Sequence, residues 1–204
     1  MDSTPAFGLD GGMMTALTKD SGTGRPSRRG AVFLDRDQTL TIDHGYTHLV
    51  DDFAWMPGAV EALRLFAKHD IACFIVTNQG GIGREIFTVD QMQAFNNHLV
   101  AQASLAGGTI LDIAHCPHHP EAVAPTLRTP CDCRKPAPGL LLQLGRKWHI
   151  DMSASVMIGD RDSDVIAGQA AGCHAYLFDG SDLSSLARLV IDRHFTTTAD
   201  HDHA

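Results

Sequence analysis

The sequence predicts an α/β protein with a doubly wound, Rossmann-like parallel sheet. Three observations carry this: short apolar runs of strand length recur along the chain, helical apolar patterns lie between them, and polar side chains capable of chemistry stand where the runs stop. Strands that alternate with helices build a parallel sheet buried on both faces. In such sheets ligands collect at the carboxyl ends of the strands, near the point where the winding reverses.

The elements follow in order. "AVFLD" (31–35) reads as the first strand, and the apolar positions Val60, Leu63, Leu65 and Phe66 predict a helix after it. "IACFIVTN" (71–78) is the second strand, followed by a helix from Met92 to Leu105. "ILDIAHC" (110–116) is the third, with a helix from Leu140 to Trp148 beyond it. "SVMIGD" (155–160) and "HAYLF" (174–178) are the fourth and fifth, separated by a helix carrying Val165, Ile166 and Ala170. A chain of 204 residues supports one substantial core, so a single domain over 31–194 is expected. Residues 1–30 are rich in Gly, Ser, Thr and Pro, lack apolar periodicity and hold no hydrophobic run resembling a signal peptide; they read as a disordered extension, and 195–204 as a polar tail.

No apolar stretch approaches the length of a membrane span. A net charge of −8 and a pI near 5.8 give no basic face for nucleic acid. The expected protein is a cytoplasmic monomer acting on a small molecule, with no membrane or nucleic-acid partner. An anionic substrate would need locally gathered positive charge.

Four polar clusters supply candidates. Asp35 closes the first strand and Asp37 follows two residues on, a spacing that sends both carboxylates to one side of an extended backbone, so that one can attack while the other moves protons. "VTNQGGIG" ends the second strand with Thr77 and Asn78 before a glycine-rich turn suited to an anion. Lys135 in "CRKPAPG" could offset the charge of an attacking carboxylate and a phosphoryl group. "IGDRDSD" gives Asp160 at the fourth strand end and Asp164 one helical turn later, hard oxygen ligands suited to Mg²⁺. Each has a plain alternative alone: solvated acids, an ordinary turn, a surface lysine, an acidic helix N-cap.

Their order along the chain, D-x-D-x-T, T-N, K and G-D-x-x-x-D, resembles the haloacid dehalogenase superfamily of aspartate-nucleophile phosphohydrolases. The resemblance spans Ala31 to Phe178 and implies a sheet order of 3-2-1-4-5. It makes Asp35 the nucleophile and Asp37 the general acid/base, with Thr77 and Lys135 on the phosphoryl group, and Asp35, the Asp37 backbone carbonyl and Asp160 on Mg²⁺. The intervals from Asp37 to Thr77 and from Cys116 to Lys135 leave no room for a large cap domain, so an open site is expected.

C-x-H at Cys116 and His118, then C-x-C at Cys131 and Cys133, offer three thiolates and an imidazole, a closed tetrahedral set for structural Zn²⁺. A disulfide is the poorer reading without a secretion signal. His119 is a possible substitute ligand, and Cys73 and Cys173 sit in apolar, core-like contexts. The loop from Cys116 to Cys133 is poor in core-forming residues, and a metal would fix its shape beside Lys135.

"CPHHP" with "CDCRKP" resembles the D-glycero-D-manno-heptose 1,7-bisphosphate 7-phosphatases and their relatives, the histidinol-phosphate phosphatases. The long interval from His118 to Cys131, and "DHGYTHLVDDF" after the first motif, favour the heptose branch. The resemblance implies substrate contacts from Asp43, His44, Gly45 and Tyr46, from Thr77, Asn78, Gln79 and Gly80, and from Arg134 and Lys135. It also points to Arg161, where the heptose enzymes often carry lysine, a change that keeps the charge and alters its geometry. A histidinol phosphatase, or a zinc-stabilised phosphate-binding protein without turnover, are the competing readings. Gln38 departs from the usual D-R-D-G-T; a positive φ there would cost glutamine roughly 1 kcal/mol or more.

Overall fold

The computed structural model describes residues 29–196. The expected extension and tail therefore fall almost wholly outside the described residues. One parallel sheet of five strands forms the centre, in the order β3-β2-β1-β4-β5. These are β1 (Ala31–Leu34), β2 (Ala72–Asn78), β3 (Asp112–Cys116), β4 (Val156–Gly159) and β5 (His174–Leu177). The order implied by the resemblance is the one found.

Period-two alternation in the strands builds two cores. Val32 and Leu34 of β1, Cys73 and Ile75 of β2, and Val156 and Ile158 of β4 face one side. They are covered there by α1 (Ala59–Lys68), α3 (Val89–Leu105) and α6 (Leu183–His194), through residues such as Leu63, Phe66, Leu99 and Val190. Ala31, Phe33, Phe74, Val76 and Met157 face the other side, under α4 (Gly139–Trp148) and α5 (Asp162–Ala170). Every residue of β1 is buried because β1 has a strand on both edges and helices on both faces. Cys73 and Cys173 lie in opposite cores, as their apolar contexts suggested.

The helix α6 was not read from the sequence, although its signal is present. Asp182 accepts a hydrogen bond from the Ser184 amide as an N-cap, and Leu183, Ala187, Val190 and Ile191 recur at helical spacing and are buried. A four-residue turn of helix, α2 (Gly80–Gly83), follows directly on β2.

Parallel register sets the functional edge. Leu34 lies opposite Ile75 of β2 and Ile158 of β4, and the Asp35 amide continues the ladder by donating to the Ile158 carbonyl. Asp35 and Asp160 thus stand just past the ends of β1 and β4, and Thr77 is the penultimate residue of β2, still paired with β3, so all three gather at the carboxyl edge of the sheet. No helix among the described residues is long and apolar enough to cross a membrane.

Candidate active site and metal centre

A cleft of about 510 Å³ opens over the carboxyl edge of the sheet, lined by Asp35, Asp37, Thr77 and Lys135 among others. Asp35 is buried, and its Oδ1 accepts from the Arg36 amide (2.7 Å) and from Lys135 Nζ (2.8 Å). Its Oδ2 has no hydrogen-bond partner among the described residues.

Lys135 is 3% exposed, and its ammonium also reaches Asp164 Oδ1 at 2.6 Å and donates to the Val76 carbonyl at 2.8 Å. Burial works against its charge, but Asp35 and Asp164 outweigh that and raise its pKa above the ordinary lysine value. Asn78 fixes the backbone that carries it: the side-chain amide donates to the Lys135 carbonyl and accepts from the Lys135 amide, both at 3.0 Å.

Asp160 and Asp164 complete an acidic cluster with Asp35, whose donor atoms lie within 4.8 Å of one another. Asp164 belongs to this site more deeply than the sequence suggested, because Gly159 leaves room for it: a Cβ at Gly159 would collide with the Asp164 carboxyl group. Asp164 Oδ2 also accepts from the Arg161 amide (3.0 Å). Burial, then the charges of Asp35 and Asp164, push the Asp160 pKa up to about 6. Asp160 Oδ1 is buried with no hydrogen-bond partner. With Lys135 already between Asp35 and Asp164, the Asp35–Asp160 side has only the largely exposed Arg161, its Nε 3.6 Å from Asp160 Oδ2, to offset its charge, and a small hard cation fits that donor chemistry.

Asp37 is held by a residue the sequence reading passed over. Arg36 is 1% exposed, and its Nε and Nη2 grip Asp37 Oδ1 and Oδ2 at 2.9 and 3.1 Å. The same guanidinium donates to Asn96 Oδ1 and Gln79 Oε1, both at 3.0 Å, and lies over the Phe95 ring. Burial raises the Asp37 pKa in spite of the opposing pull of Arg36. Gln79 Nε2 donates to Asp37 Oδ2 and to Thr77 Oγ1, each at 2.8 Å. Gln79 is therefore engaged at both ends of its amide, and the Thr77 hydroxyl, accepting from it, keeps its proton for another acceptor. The spacing of D-R-D signals the arginine, but only packing against Phe95 and Asn96 shows that it turns inward.

Asp43, Gly45 and Tyr46 line the cleft, whereas His44 is exposed and is not among the lining residues. Asp43 Oδ1 caps the turn by accepting from the amides of Gly45 and Thr47. Gln38 has φ 60°, the strained value anticipated for a glycine position, and its Nε2 holds the loop by donating to the Asp43 carbonyl at 2.8 Å. Tyr46 also has a positive φ, 62°, and accepts a hydrogen bond from Arg84 Nη1 at its hydroxyl. Asn78, Gln79, Gly80, Arg134 and Arg161 complete the expected lining.

Cys116, His118, Cys131 and Cys133 converge at one end of this wall. Their sulfurs are 3.0, 3.3 and 3.7 Å apart, and His118 Nδ1 lies 3.5 and 3.4 Å from Cys116 and Cys133. A tetrahedral Zn²⁺ with bonds of about 2.3 Å to sulfur and 2.0–2.1 Å to nitrogen needs ligand separations of about 3.5–3.8 Å, so the set fits with small adjustments. Burial raises the Cys116 and Cys133 thiols; at Cys131 burial is outweighed by hydrogen bonds from Cys133 and the Arg134 segment, which lower it. His119 is not in this cluster. Its ring lines the cleft, and its Nδ1 accepts from the Glu121 amide.

Comparison with known proteins agrees with this architecture. A HAD-hydrolase-like family profile matches residues 132–186. The D-glycero-β-D-manno-heptose-1,7-bisphosphate 7-phosphatase of Rhodopseudomonas palustris is 36% identical over 169 residues, covering 83% of this chain and 94% of that protein. The enzyme of the same name from Escherichia coli K12 is 45% identical over 143 residues, 69% of this chain and 74% of that one. Among solved structures, a putative HAD-like phosphatase from Mesorhizobium loti superposes with a TM-score of 0.75 at 29% identity, covering 84% of this chain and 88% of that one. A heptose 1,7-bisphosphate phosphatase from B. bronchiseptica, complexed with magnesium and phosphate, gives 0.70 at 24% identity, covering 80% and 98%. With the sheet order, the strand-end carboxylates and these likenesses together, the chain belongs to the haloacid dehalogenase superfamily and, within it, to the family of the heptose-1,7-bisphosphate 7-phosphatases.

Proposed function

We propose that this phosphohydrolase removes the C7 phosphate of D-glycero-D-manno-heptose 1,7-bisphosphate through an aspartyl-phosphate on Asp35. The observation that carries the reading is the state of Asp35: one carboxylate oxygen is held by Lys135 and a backbone amide, and the other is left without a protein partner at the cleft. Asp35 Oδ2 attacks phosphorus while the bond to the sugar oxygen breaks, and Asp37 gives that oxygen its proton. Water then attacks the aspartyl-phosphate, Asp37 takes its proton, and Asp35 and inorganic phosphate are released.

Lys135 offsets the negative charge gathered at the floor, and the Thr77 hydroxyl, oriented by Gln79, donates to a phosphoryl oxygen. Mg²⁺ held by Asp35, the Asp37 carbonyl and Asp160 would supply further compensation for the phosphoryl charge. Zn²⁺ on Cys116, His118, Cys131 and Cys133 would have a structural role, since that set leaves no ligand position open. Arg134 and the 43–46 loop contact the remainder of the substrate, and Arg161 adds positive charge at the rim.

Phosphate release from heptose 1,7-bisphosphate, histidinol phosphate and simple sugar monophosphates tests the assignment, with phosphorus NMR of the product. The bisphosphate should be preferred and should yield heptose 1-phosphate. A preference for histidinol phosphate, or equal loss of both phosphates, would overturn the substrate while leaving the aspartate chemistry in place.

A further inference from the structure

The two adjacent histidines of "CPHHP" part company in the fold. His118 turns to the thiolates, whereas His119 turns to the cleft. Because His119 Nδ1 accepts from the Glu121 amide at 3.0 Å, the ring proton of the neutral imidazole resides on Nε2, which has no partner among the described residues. The ring edge beside Nε2 packs onto Gly80: a Cβ there would stand 2.8 Å from His119 Cδ2 and 3.3 Å from Arg134 Nη1. The missing side chain at Gly80 thus opens the space that His119 and Arg134 occupy together.

Arg134 is likewise half committed. Its Nη1 donates to the His118 carbonyl at 2.8 Å, which fixes the plane of the guanidinium and leaves its other N–H groups for a ligand. The carboxylates that line the cleft do not compete for this wall. Asp35, Asp37 and Asp164 are engaged on the floor, and Asp43 Oδ1 is spent on the Gly45 and Thr47 amides. The remaining guanidinium N–H groups and the imidazole N–H, neither with an acceptor among the described residues, complement an oxyanion.

We infer that His119 adds a second donor beside Arg134 for the phosphate at the non-reacting end of the substrate, and that His119 is a specificity-determining residue. The inference rests on the bisphosphate reading of the cleft and deepens it. His119 contributes a single N–H hydrogen bond to a phosphate oxygen, from a ring held by the Glu121 amide. Arg134 contributes the charge.

Binding measured by calorimetry in the catalytically silent Asp35→Asn protein tests it without turnover, using heptose 1,7-bisphosphate and heptose 7-phosphate as ligands. His119→Phe should weaken the bisphosphate roughly 10-fold and the 7-phosphate by less than about threefold. His119→Gln, whose amide restores a donor, should recover part of the loss. The bound zinc should stay unchanged in both variants. Equal weakening of the two ligands, no weakening, or loss of zinc from His119→Gln would overturn the subsite, the last because His119 would then serve the metal loop. Preference of the wild-type enzyme for histidinol phosphate would instead overturn the substrate assignment, and the comparison of bisphosphate with monophosphate would still report on His119.

Discussion

The carboxylate cluster on the floor of the cleft and the thiolate cluster on its wall are both metal-ligand sets, but they are held in opposite ways. Asp35, Asp160 and Asp164 come from the ends of two hydrogen-bonded strands and the helix after one of them, and Lys135 already ties two of the three together. Cys116 ends β3, whereas His118, Cys131 and Cys133 lie in irregular chain, and the loop between the two ligand pairs contributes only Ala122 to the buried hydrophobic residues. In the first region the sheet positions the ligands and an ion settles their charge; in the second an ion must supply the cohesion that packing does not. Shape should therefore survive metal removal at the floor and fail at the wall.

The largest effect should come from the floor without any change of shape. Asp35→Asn keeps the volume and the neighbours but removes the nucleophile, and turnover should fall by roughly four orders of magnitude or more with the melting temperature little changed. Steady-state phosphate release and a thermal melt check this together; near-normal turnover would exclude Asp35 as the nucleophile.

Arg36 probes whether the floor depends on charge pairing as well as on the sheet. Arg36→Met removes one partner of a buried pair and leaves the Asn96 and Gln79 carbonyl oxygens without their donor. Stability should drop by about 3 kcal/mol in denaturant titration, and kcat should fall because Asp37 loses its orientation. Unchanged stability would show that Asp37 and Gln79 find other partners.

At the wall, Cys131→Ser should abolish zinc binding and raise KM for the bisphosphate about 10-fold or more, while circular dichroism of the sheet and helices stays close to wild type. The link is the His118 carbonyl, which holds Arg134. Elemental analysis gives the metal content. A collapse of the whole fold would mean that the two regions are less separate than described.

The smallest effect should come from Gln38→Gly. Relief of the positive φ is offset by the freer unfolded chain and by loss of the bond to the Asp43 carbonyl, so stability should change by no more than about 1 kcal/mol. A several-fold rise in KM with kcat nearly constant would indicate that the glutamine serves the 43–46 loop; a large gain in kcat would indicate that it obstructs the cleft.

Some of this was legible in the residues themselves. Apolar runs ending in Asp35, Thr77 and Asp160 define strands and their functional ends because strand length, burial on both faces and the polarity of the residues at or just past the strand end are local properties. The ligands Cys116, His118, Cys131 and Cys133 were readable for the same reason: each pair sits within three residues and its chemistry permits few uses. Other assignments required the folded chain. Arg36 reads as an exposed charge until Asn96, Phe95 and Gln79, distant in sequence, close around it. Asp164 became part of the floor because Gly159 lets its carboxyl group fold back beneath the strand end, and Asn78 and Gln79 became supports for Lys135, Asp37 and Thr77. His119 could not be told from His118 by spacing alone; the separation came from a backbone amide and from the space left at Gly80. The sequence by itself determined which groups stand at the strand ends, since that follows from local pattern. The tertiary structure decided which of them are free to meet a ligand, since that depends on which buried polar atoms find partners brought from elsewhere in the chain and which, like Asp160 Oδ1, do not.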